Sequence, residues 1–91
     1  MITDKDVFQA ALGKWGEAVQ VVKTLEELSE LSTVLARWLC NPERVIDDEI
    51  KSELADVWIM LQQMKIVFGS FDSALTGKME RLLDKVGLKD E

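Results

Sequence analysis

The sequence predicts an all-α chain. Helix-forming residues dominate, a single proline (Pro42) interrupts them, and no segment alternates apolar and polar residues as a half-buried strand would. Size and composition add a second expectation. With 91 residues, 47 % of them apolar, the chain reads as one domain that buries only about 60 to 65 % of its unfolded surface. The remaining apolar surface is best covered by an oligomer whose interface completes the core.

Four helices are expected. Thr3 and Asp6 form an N-terminal box that opens a short helix over 4–12, with Val7, Phe8, Ala11 and Leu12 inward. Gly13 and Gly16 bracket Lys14-Trp15 and predict a bend. The second helix is expected over 17–39. On a wheel of about 100° per residue, Trp15, Ala18, Val22, Leu25, Leu28, Leu35 and Leu39 make a wide apolar arc. Leu31, Val34 and Trp38 fall on a different side, the one that carries Gln20, Lys23, Glu27 and Glu30. Cys40-Asn41-Pro42 should end this helix, with asparagine in a left-handed cap.

Asp47, Asp48 and Glu49 then put negative charge where a helix dipole favours it, at the start of a third helix over 48–68. Ile50, Leu54, Val57, Leu61, Met64 and Phe68 form its main stripe, and Glu53 lies inside that stripe. Gly69-Ser70 ends it. A fourth helix over 72–86 follows, weakened at Gly77, before a frayed end at 88–91.

The formal net charge of −6 argues against a DNA or RNA backbone, or an anionic membrane surface, as partner. No apolar run is long enough to span a membrane, and Met1 to Asp6 lacks the order of a signal peptide, so the expectation is a cytoplasmic protein. Cys40 is the only cysteine. With no histidine to activate it, it reads as a small buried apolar side chain near a helix end.

The acidic residues carry the chemistry. Glu27 and Glu30 share one face of the second helix, and Glu53 and Asp56 share one face of the third, so each helix offers a pair of carboxylates among apolar residues. Four such groups in a low-dielectric setting repel one another unless cations neutralise them. Oxygen ligands with no histidine or paired cysteine select magnesium, or manganese, over zinc or copper. Salt bridging to lysines such as Lys23 is the competing account. Lys78, Arg81 and Lys85 form a basic line on the fourth helix. They suit either a solvated face paired with Glu80 and Asp84 or the capture of phosphate. Trp15, Trp38 and Trp58 read as core or interface anchors, and Met60, Met64 and Met79 as core filling.

Lys14-Trp15-Gly16, Gln20, Glu26-Glu27-Leu28-Ser29-Glu30-Leu31 and Glu53-Leu54-Ala55-Asp56-Val57-Trp58 together resemble the MazG-like all-α nucleoside triphosphate pyrophosphohydrolases, notably the short bacterial and phage members. That family's signature is Glu-x-x-Glu, a gap of a dozen to nearly thirty residues, then Glu-x-x-Asp; here 22 residues separate Glu30 from Glu53. The resemblance implies hydrolysis of a (d)NTP to (d)NMP and pyrophosphate, a house-cleaning activity on the nucleotide pool. It implies magnesium held by Glu27, Glu30, Glu53 and Asp56, supplying charge neutralisation at the phosphates and an activated water. Glu26, beside Glu27, is the candidate for orienting that water. Gln20, Lys23, Lys78 and Arg81 are the candidate substrate contacts.

The resemblance also implies a homodimer or homotetramer in which helical hairpins of two chains form a four-helix bundle. Where related sequences often carry a further acid, this chain has Trp58, which bears on the second metal and on substrate preference. Two rival readings remain. One is a non-catalytic helical oligomer that acts as an interaction module with a structural cation site. The other, inside the same superfamily, is phosphoribosyl-ATP hydrolysis.

Overall fold

The computed structural model describes residues 1–88, so the frayed end expected at 88–91 lies, beyond Leu88, outside the described residues. The chain is all-α, in the order α1 (Asp4–Trp15), α2 (Glu17–Cys40), a 3₁₀ turn (Pro42–Arg44), α3 (Asp47–Phe68) and α4 (Asp72–Lys85). The capping box forms: Asp6 N–H donates to Thr3 Oγ1 at 3.2 Å and Thr3 N–H donates to Asp6 Oδ2 at 2.9 Å. α1 runs through Gly13 to Trp15, three residues beyond the expected end. The bend sits at Gly16 alone, whose φ of 89° a side chain would resist. Asn41 ends α2 with φ −155°, so the left-handed cap expected there does not form.

α2 and α3 are an antiparallel hairpin. Gln20 meets Gln63, and ten residues further along α2, Glu30 meets Glu53, ten residues back along α3. The packed face of α2 is Gln20, Thr24, Glu27, Leu31 and Val34. The wide apolar arc is not the buried face: Val22, Leu25, Leu28, Leu35 and Leu39 are exposed, Leu25 at 63 %. α3 turns Val57, Met60 and Gln63 inward, while Leu54, Leu61 and Phe68 of its expected stripe are exposed. α1 lies against both helices and joins α3 through an edge-on pair of Phe8 and Trp58, ring centroids 5.9 Å apart.

α4 stands apart, with no Cα within 8 Å of another helix among the described residues. It is held by Lys65, whose Nζ is 3.6 Å from Asp72 Oδ1 and 5.0 Å from the Phe71 ring centroid. Three further residues expected inside are exposed as a result of this incomplete enclosure: Val7 on α1, Cys40 at the end of α2 and Met79 on α4. A radius of gyration of 16.6 Å, against about 12 Å for a compact chain of this length, expresses the same openness. No described helix is long and apolar enough to cross a membrane.

Candidate metal centre

Hairpin register brings the acids together. Glu27 and Glu30 lie one turn apart on α2, and α3 runs antiparallel so that Glu53 arrives beside them. One carboxylate oxygen from each of Glu27, Glu30 and Glu53 lies within 4.8 Å of the others. Asp56, the fourth expected ligand, is outside this group and lines the neighbouring cavity with Glu27.

Glu27 is buried, with 6 % of its surface exposed, and Glu53 is half-buried. Glu27 Oε1 accepts Lys23 Nζ at 3.0 Å, whereas Glu27 Oε2 and Glu53 Oε2 are buried with no donor. Burial, then the charges of Glu30, Asp56 and Glu27, push the Glu53 carboxyl above the ordinary glutamate range. The hydrogen bond to Glu27 and its charge push the Lys23 ammonium up. Glu30 is exposed, so the cluster sits at the edge of the low-dielectric interior expected for it; with the two unpartnered buried oxygens it forms an all-oxygen donor set that fits a hard divalent cation.

On one side of the acids is an open cavity of about 390 Å³, lined by Trp15, Gln20, Lys23, Glu27, Asp56 and Gln63, among others. Its floor is an amide pair: Gln20 Nε2 donates to Gln63 Oε1 at 2.7 Å, both residues being buried. Thr24 Oγ1 donates to the Gln20 carbonyl at 2.8 Å, and Gln63 Nε2 lies 3.8 Å from Met60 Sδ. On the other side, a cavity of about 240 Å³ is lined by Glu30, Arg37, Glu49 and Glu53, with Ser29, Thr33 and Val34.

The structure therefore gathers Gln20, Lys23, Glu27 and Asp56 around one cavity and Glu30 and Glu53 around the next. Glu26 is exposed, its Oε2 3.7 Å from Lys23 Nζ. Lys78 and Arg81 are on α4 and line neither cavity. With Lys85 they make no ion pair with Glu80 or Asp84 among the described residues. Gln63 and Arg37 are the site-lining residues that the sequence reading missed. Gln63 had a signal, since it is seven residues from Asp56 and so returns to the same face of α3. Arg37 returns in the same way seven residues after Glu30.

Compared with known protein families, with curated proteins and with solved structures, the chain matches none.

Proposed function

We propose that this protein is a magnesium-dependent nucleoside triphosphate pyrophosphohydrolase that converts a (d)NTP to (d)NMP and pyrophosphate. The observation that carries the reading is the convergence of Glu27, Glu30 and Glu53 within 4.8 Å, with two buried oxygens lacking any donor. Magnesium there would supply charge neutralisation for phosphate oxygens and an acidified water. Glu27, Glu30 and Glu53 hold the cation, with Asp56 at the cavity edge as a fourth carboxylate. Lys23 fixes the orientation of Glu27, and Glu26 lies beside both. The amides of Gln20 and Gln63, with Trp15 at the same cavity, offer hydrogen bonds and an aromatic face to a nucleobase.

Assembly into a homodimer or homotetramer belongs to the same proposal. The chain exposes 7300 Å², about 1,900 Å² more than a compact monomer of its mass. That excess is comparable with the surface an obligate subunit buries. The exposed leucines of α2, the face of α3 around Leu54 and Leu61, and the apolar side of α4 are the surfaces such an assembly covers.

Release of pyrophosphate from a panel of (d)NTPs, with magnesium and with chelator, tests the reading. Magnesium-dependent pyrophosphate without orthophosphate supports it, and no release from the folded protein overturns it. One observation favours the second reading, a non-catalytic module: Lys23 already neutralises Glu27 at 3.0 Å. That reading expects cation binding with no turnover.

A further inference from the structure

Beyond the acids, α2 carries Arg37, two turns past Glu30 on the same face, roughly 11 Å of helix rise away. Arg37 and Glu49 line the 240 Å³ cavity with Glu30 and Glu53, and the same two residues line a second cavity of about 420 Å³ with Arg44 and Cys40. The two cavities thus adjoin at Arg37 and Glu49 and together make a trough that runs from the carboxylates to Arg44, with both arginines exposed along it. Neither arginine makes an ion pair among the described residues, although Glu49 borders both cavities. An arginine left unpaired beside a glutamate is free to take another anion. The opposite end of the site has the contrasting chemistry of Trp15 and the Gln20–Gln63 amides.

We infer that Arg37 and Arg44 hold the diphosphate part of the ligand, so that the β- and γ-phosphates of a nucleoside triphosphate whose cation sits at the carboxylates lie towards Arg37. This rests on the reading of the site as one for a nucleoside triphosphate. It also gives the anion a receptor inside one chain, independent of Lys78 and Arg81 on the detached α4. The guanidinium fork matches paired phosphate oxygens, and Arg37, nearer the carboxylates, contributes more than Arg44. Free pyrophosphate presents the same chemistry and binds the same trough.

Calorimetric titration of the full chain with pyrophosphate and with a nucleoside monophosphate, both in magnesium, tests the assignment. Arg37→Gln is expected to weaken pyrophosphate binding roughly tenfold or more, as loss of a charge-assisted pair does. Monophosphate binding stays unchanged, and Arg37→Lys restores part of the loss. Arg44→Gln, in the turn after α2, gives a smaller loss of the same kind. Unchanged pyrophosphate affinity in the Arg37→Gln, Arg44→Gln double variant overturns the inference, as does equal weakening of both ligands. Arginine-dependent pyrophosphate binding with no hydrolysis of any (d)NTP would uphold the trough and sink the catalytic reading.

Discussion

Lys23 and Glu27, one helical turn apart on α2, form an ion pair at 3.0 Å that occupies one oxygen of Glu27 and leaves the other buried and unpartnered, in a residue grouped with Glu30 and Glu53. The lysine thus stands in for part of the positive charge the cluster needs. A divalent cation must share Glu27 with it. Lys23→Gln is therefore expected to tighten manganese binding, followed by electron paramagnetic resonance, while it raises KM for a nucleoside triphosphate. Weaker manganese binding would show that Lys23 supports the cation instead of competing with it.

Glu53 contributes charge that the metal-free fold tolerates poorly. Glu53→Gln removes that charge and keeps the shape, so Tm without magnesium is expected to rise by a few degrees. The rise in Tm that magnesium gives the unaltered protein should disappear in the same variant, along with turnover. A variant that still gains stability from magnesium would place the cation elsewhere.

The raised Glu53 carboxyl also fixes a pH dependence. Because the folded state holds this proton more tightly than the unfolded state, the folded state binds more protons between the two pKa values. Glu53's contribution to stability without metal is then greatest below the ordinary glutamate range and is lost as pH rises through its raised value. Magnesium, by neutralising the carboxylate form, should flatten that fall. Thermal unfolding across acidic to neutral pH, with chelator and with magnesium, measures both curves.

The Gln20–Gln63 bond gives a stability prediction that needs no metal. Gln63→Leu strands the buried Gln20 amide, at a cost of about 1 to 3 kcal/mol, while the double change to leucine is far milder because no polar group is left unpaired. For a domain this small, each kcal/mol corresponds to about 4 to 8 °C in Tm. Equal losses in the single and double variants would contradict the pairing.

Leu25 tests assembly. It is 63 % exposed, and at a free surface Leu25→Glu would change stability by no more than about 0.5 kcal/mol. If leucines of α2 meet a second copy, the same change lowers the mass measured by light scattering and the Tm together. An unchanged mass and Tm would leave that face solvent-exposed.

Helix positions were legible because their punctuation is local. Thr3 and Asp6, Pro42, the acids at 47–49 and Gly69 each act within one turn, and the helices start and stop there. Gly13 misled because a helix interior tolerates a glycine at modest cost, whereas of the two glycines at that bend Gly16 alone takes a positive φ. Which face turns inward was less legible. In α2 the most apolar arc lies outside the hairpin, and the buried line is Gln20, Thr24, Glu27 and Val34. Hydrophobicity ranks faces but does not say which neighbour covers them. Three of the acids were found by spacing alone, since register over a hairpin follows from helical period. Arg44 was not legible because the turn that carries it and Val45 back alongside α2 has no periodicity to read, whereas Arg37 had the seven-residue spacing from Glu30.

The hairpin register has a consequence for the lengths that this chain can change. Deleting one residue between Arg37 and the end of α2 leaves both carboxylate pairs, the buried Val34 and Arg37 in their helical phase. Deleting one between Gln20 and Glu27 swings the amide about 100° away from the acids, out of reach of Gln63. The helix therefore works as a ruler as far as Arg37: tolerance to insertion should change abruptly within α2, past the turn that carries that residue.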